Sequence, residues 1–217
     1  MPRPSNTAER RRQIVEALLI VMAAQGYERA SVAAVAAQAG LVPGLVHYHF
    51  GSKLEILVEL VECLHERLRA RVERFVQRAG ADGARERLAA FLDAHVATGA
   101  DADPAAVACW VSVASEAIRE PDVQAVYRRV VTAQMQELGL LVAAARAEAG
   151  HPEDRAAARA AAAALYAAIQ GAYQLGTAAP GAAPAGFAAP ALRRMADALI
   201  ADAPPEPRRK PRGRTAR

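Results

Sequence analysis

Two cysteines, Cys63 and Cys109, are all that this 217-residue chain contains. They stand far apart and at no metal-ligand spacing. A disulfide framework is excluded, and a reducing compartment, the cytoplasm, is expected. Aromatic residues are scarce at 5%, with one Trp, four Phe and five Tyr. Together with few β-branched residues, this excludes a β protein of this size. Long apolar runs are missing too. The longest uncharged stretch, 160–192, is mostly alanine and passes into a Pro/Gly segment. It falls short of the roughly 20 strongly apolar residues of a spanning helix. Arg10-Arg11-Arg12 before Ala17–Ala24 imitates a secretion signal, but Glu16 interrupts it and the run is short. Neither membrane insertion nor secretion is expected. There is also no Gly-x-Ser-x-Gly, P-loop or His-Glu-x-x-His pattern, so neither an enzyme nor a cofactor is expected.

What is present is alanine, 56 residues and about half of the apolar total. Alanine is the best helix former and a poor strand former, which points to an all-α fold. Apolar residues at 53% and charged residues at 23% are globular values. The formal net charge is +4 and the sequence pI about 9.4. That surplus is local. Residues 204–217 hold six basic side chains and one acid, which leaves a balance of −1 for the rest.

Periodicity and caps divide the chain. Residues 1–6 read as an arm, and Thr7 as the cap of a helix over about 8–25. Ser31 caps a second helix, whose buried face is Val32, Val35, Ala36 and Ala39. Gly40 ends it, and Pro43 stands in the first turn of a short helix over 43–49. A long helix over 53–78 carries Glu55, Glu59, Glu62 and Glu66 in its first half and Arg67, Arg69, Arg71, Arg74 and Arg78 in its second. That order suits the helix macrodipole and reads as a solvated face. Further helices are expected near 83–98, 104–119, 122–149, 153–176 and 189–202. The chain thus divides into an N-terminal unit, 1–53, the connecting helix 53–78, a helical bundle, 79–203, and a basic tail, 204–217.

The informative stretch is Ser31 to Lys53, SVAAVAAQAGLVPGLVHYHFGSK. Two short helices joined through a glycine turn have the dimensions of a helix-turn-helix. His47, Tyr48 and His49 offer donors and acceptors to phosphates or base edges. Ser31 and Lys53 stand at helix starts, where backbone N–H groups favour a phosphate. His47 and His49 lie roughly 200° apart around a helix, so no metal site is expected from them.

The order Ser31, Val35-Ala36, Ala39-Gly40-Leu41, Pro43-Gly44, His47-Tyr48-His49-Phe50 and Lys53-Leu54 resembles the TetR family of one-component regulators. The resemblance implies an all-α, three-helix DNA-binding domain joined by a long helix to a larger C-terminal bundle. It also implies a homodimeric repressor that binds a double-stranded, palindromic operator and is released by a small-molecule effector. Ser31, Pro43, Gly44, His47, Tyr48, His49 and Lys53 match DNA-facing positions, and Phe50 a core position. Pro43 replaces a usual polar residue, and Leu45 is apolar where small or polar residues are frequent.

The segment around Trp110, CWVSVASEAIREPDVQAVYRR, is similar to BetI-type members. The resemblance sets an effector pocket among Phe91, His95, Trp110, Tyr127, Met135, Gln170 and Tyr173. It sets a dimer interface on the last two helices, at Leu165, Ile169, Ala172, Leu192, Met195 and Leu199. The alternative expectation is a ligand-independent DNA-binding protein that relies on its basic tail.

Overall fold

The computed structural model describes residues 6–201. The arm and the basic tail expected at 1–6 and 204–217 therefore lie outside the described residues, except for Asn6. Within them the chain is all-α, with no strand. The helices are α1 (Asn6–Gln25), α2 (Val32–Ala39), α3 (Pro43–His49), α4 (Lys53–Ala79), α5 (Ala84–His95), α6 (Pro104–Glu116), α7 (Pro121–Glu148), α8 (Arg155–Ala178) and α9 (Ala188–Ala201). None of the described helices is long and apolar enough to cross a membrane.

Local chemistry sets most boundaries. Ser31 caps α2 by accepting from the Ala34 amide at 3.1 Å, and Gly40 closes it in the left-handed region at φ 64. Ser52 does the same for α4 through the Glu55 amide. Several boundaries differ from expectation, among them the end of α6, which stops at Glu116 rather than 119. Thr7 lies inside α1, which already runs from Asn6. α5 stops at His95 rather than 98, and the chain then makes a short 3₁₀ turn over Gly99–Asp101. α8 starts at Arg155, because the Asp154 carboxylate accepts from the Ala157 amide, and it continues past Gly176 to Ala178.

Two apolar cores result. The first joins α1 to α4 through Ile14, Leu18, Met22, Val35, Phe50, Ile56 and Leu60, and continues into Trp110 and Val113 of α6 and Ala117 just after it. The second lies among α5, α7, α8 and α9. Val131 and Tyr173 touch both cores. The first core therefore crosses the boundary expected after α4, because α6 packs directly on α1. The charges of α4 are partly solvent-exposed, and several of them find partners on neighbouring elements. Arg11 pairs with Glu55 and Glu59, Arg67 with Glu16, Arg129 with Glu62, and Arg78 with Asp101. These pairs fasten the long helix to α1, to α7 and to the 3₁₀ turn.

Candidate nucleic-acid interface and effector cavity

α3 is seven residues long and splits its side chains cleanly. Val46 is 1% exposed, and Phe50, just after the helix, is 2% exposed. The Arg11 guanidinium lies 3.9 Å over the Phe50 ring and donates to the His49 carbonyl. Pro43, Gly44, His47 and Tyr48 face solvent, with Tyr48 79% exposed. His49 is half-buried, and its ring meets that of Tyr48 edge-on at 5.0 Å. Gly44 has open space where a Cβ would stand. Ser31 is exposed at the start of α2, its hydroxyl oxygen accepting within the cap and its proton free to be donated. Val42, exposed at the cap of α3, joins this face; its apolar side chain gave no signal in the sequence.

Lys53 differs from its expected state. Its ammonium donates to the Tyr27 carbonyl at 3.0 Å and lies 4.0 Å over the Tyr27 ring. It straps the α1–α2 loop to the start of α4 instead of standing free at a helix end.

In the C-terminal half the seven expected pocket residues do not converge on one space. Phe91 and His95 are buried in the second core, their rings 4.3 Å apart. His95 Nδ1 pairs with the Phe91 carbonyl at 2.8 Å, and burial holds the ring's pKa down at about 4. Met135 is half-buried against the same core. Trp110 stacks on Tyr127 at 4.9 Å between ring centres and donates through Nε1 to Gln170 Oε1 at 3.1 Å. Only Trp110 and Tyr173 line the cavity that the fold forms between α4, α6, α7 and α8, a space of about 40 Å³. Its other polar walls are His65, Arg67, Arg71 and Gln134, and its apolar walls include Leu64, Leu68 and Val107.

The α4 contribution was missed because that helix reads as a charged connector. A signal was available. Leu57, Leu60, Leu64 and Leu68 run down one stripe, and Arg71 falls on the same stripe. An arginine on an apolar face is aimed inward.

The expected dimer residues divide as well. Leu165, Ile169 and Leu192 are at most 2% exposed inside one protomer. They belong to the second core rather than to a surface, because α8 turns that face toward α7. Ala172 and Leu199 are half-buried, and Met195 is 39% exposed. The outward face of α8 is instead Ala160, Ala164, Ala167, Gly171 and Leu175. The two cysteines are free. Cys63 is half-buried on α4, whereas Cys109 is fully buried and its thiol is pushed up to about 12.

Comparison with known proteins adds to this geometry. Residues 14–60 match the family described as bacterial regulatory proteins, tetR family. Residues 84–201, more than half of the chain, match the BetI-type transcriptional repressor, C-terminal family. The chain belongs to the TetR family. This TetR-family chain is 33% identical over 125 residues to the HTH-type transcriptional regulator BetI of Rhizobium meliloti (strain 1021), covering 57% of this chain and 60% of that protein. It is 32% identical over 123 residues to BetI of Agrobacterium fabrum, covering 56% and 58%. It thus spans about 60% of the length of the curated relatives it matches. Solved structures share the fold. A transcriptional regulator from Rhodococcus sp. Rha1 superposes with a TM-score of 0.74 at 23% identity, over 88% of this chain and 95% of that one. A protein from Saccharomonospora viridis in complex with choline gives 0.69 at 23% identity, over 89% and 96%. TetR-family proteins are transcriptional regulators, not enzymes.

Proposed function

We propose that the chain is a homodimeric, cytoplasmic repressor that reads a palindromic operator through α2 and α3 and is released by a small molecule bound in its C-terminal half. The observation that carries this is the face of α3. His47, Tyr48 and Gly44 are exposed together on a short helix whose other side, Val46 and Phe50, is locked in the core. A rigid helix with polar groups turned outward suits a major groove. Ser31, Pro43 and His49 border that face, and Lys53 holds the loop beside it. Residues 1–53 form the reading unit, α4 connects, and the bundle from residue 79 holds the effector and the partner protomer. The small residues on the outward face of α8 let a second copy approach closely there, with Met195 and Leu175 as flanking apolar contacts. Two half-sites read at once raise affinity without new contacts, which gives dimerisation a mechanistic purpose.

Gel shift with the DNA upstream of the protein's own gene tests this. A salt-sensitive, sequence-dependent shift is expected, and Tyr48→Ala should weaken it about tenfold with unchanged thermal stability. Deleting 204–217 should only weaken the shift and flatten its salt dependence. Abolition of binding by that deletion would favour the reading in which the basic tail alone binds DNA.

A further inference from the structure

We propose that the cavity between α4, α6, α7 and α8 takes a small organic carboxylate, with its acid group on Arg71 and Gln134 and its apolar part against Leu64, Leu68, Val107 and Trp110. This rests on the reading of the protein as an effector-controlled regulator and names the chemical class of the effector.

Charge is the first argument. Two guanidinium groups, Arg67 and Arg71, stand in the wall, and no carboxylate lines it. Arg71 is 9% exposed, yet it is held loosely. Its nearest carboxylate, Asp103, is 3.6 Å away, and its bond to the Ala94 carbonyl is long at 3.4 Å. A buried guanidinium normally has its fork filled at about 2.7–2.9 Å by a bidentate carboxylate. Here both terminal nitrogens have only long contacts, to Ala94 and Asp103, and the side chain borders the cavity.

Polar groups in and behind the wall are the second argument. Gln134 is 4% exposed and in the wall, where its amide also reaches His95. His65, also in the wall, has a buried Nδ1 without a hydrogen-bond partner among the described residues, as has Gln170 Nε2 behind Trp110. Orphaned buried polar atoms are rare in finished cores and call for a partner. Burial holds His65 toward its neutral form, so it offers a hydrogen bond rather than a charge.

Size and shape restrict the class further. A volume of about 40 Å³ corresponds to roughly three water positions at ~10–15 Å³ each, which fits a carboxylate and one or two carbons before the site must open. The Leu and Val walls suit a short aliphatic or aromatic remainder. A quaternary ammonium fits poorly. It would meet two guanidinium groups, and one face of Trp110 is already covered by Tyr127.

Occupancy has a route to the DNA face. The Arg67 guanidinium lies in the cavity wall and pairs with Glu16 of α1. A ligand carboxylate seated on Arg71 places a negative charge in the same cavity as Arg67 and draws that guanidinium away from Glu16. α1 is thereby loosened from α4, and α1 carries the core on which α2 and α3 rest.

The test titrates the full chain with sodium acetate, butyrate and benzoate, and with choline chloride and inorganic phosphate, at constant ionic strength. Trp110 fluorescence and Tm are the readouts. Saturable binding of at least one of the three carboxylates with a rise in Tm is expected, acetate within the cavity as it stands and butyrate or benzoate with the site opened, and no saturable response to choline or phosphate. Arg71→Gln should weaken binding about tenfold. If Arg71→Gln fails to fold, Arg67→Gln, at a half-exposed position, should weaken it several-fold instead. The inference is overturned if none of the three carboxylates saturates below about 10 mM, or if choline or phosphate saturates instead. It is overturned equally if the arginine variants bind as the parent does. Ligand-free gel shift is scored separately. A DNA shift without carboxylate binding overturns this inference alone, and carboxylate binding without any DNA shift overturns the regulator reading alone.

Discussion

Single side chains here carry opposite assignments that stability measurements separate. Lys53 and Tyr48 both match DNA-facing positions, but only Lys53 is tied inward, to the carbonyl and ring of Tyr27. Lys53→Met should therefore cost about 1 kcal/mol in urea unfolding through the lost hydrogen bond and cation–π contact. Tyr48→Ala should stay within about 0.5 kcal/mol. Equal costs would remove the distinction. His95 supplies a pH dependence. Its pKa is about 4 in the fold, against about 6.5 in the unfolded chain. The unfolded chain binds more protons between those values, so stability falls as pH drops from about 6.5 toward 4. From pH 7 to pH 5 the loss due to His95 is on the order of 2 kcal/mol. His95→Leu should shrink the acid-induced loss of unfolding free energy, read from urea titrations at pH 7 and pH 5, by that amount. A loss as large as the parent's would refute it.

Helices show where sequence was sufficient. α2 carries both its ends in residue chemistry, a serine hydroxyl before it and a glycine after it, and its bounds are legible to the residue. α5 is not. No breaker stands between His95 and Gly99, so periodicity runs on while the chain leaves the helix at Val96 and turns at Gly99, φ 64. Two glycines near the recognition helix make a paired test. Gly40 sits at φ 64 with empty space around it, so Gly40→Ala is penalised by conformation alone, about 1 kcal/mol. Gly44 has no neighbour within 4 Å of a Cβ, and it lies inside α3 with no such φ. Gly44→Ala should stabilise the free protein by about 0.5–1 kcal/mol. The same methyl stands on the face proposed to read DNA and should weaken the gel shift. Circular dichroism melts and binding titrations on both variants check the signs. A Gly44→Ala protein that is less stable, or that binds DNA better, contradicts this account.

The whole molecule is less modular than its sequence. The recognition motif was legible because one local run, Ser31 to Lys53, holds all its parts. The cavity was not, because its walls come from four helices and its key charge sits on the one read as a connector. Three of the six residues expected at a dimer interface, Leu165, Ile169 and Leu192, lie inside the protomer for a similar reason. Leu165 and Ile169 show an apolar face, but nothing in the chain says whether that face meets α7 or another protomer. The shared core has a measurable consequence. Trp110 and Val113 of α6, with Ala117 just after it, pack into the same cluster as Ile14 and Leu18. A fragment ending at residue 80 would expose that surface and should lose cooperative unfolding, seen as a broad, low-amplitude thermal transition. A sharp transition in the fragment would show two independent domains.

The unequal burial of the two thiols has a use outside physiology. Cys109 is sealed in the core with its thiolate suppressed, while Cys63 lies half-open on α4, the helix that follows the proposed reading unit. The unaltered chain thus accepts one maleimide spin label per protomer. In a two-fold assembly, the distance between the two labels becomes a ruler for the spacing of the paired reading heads.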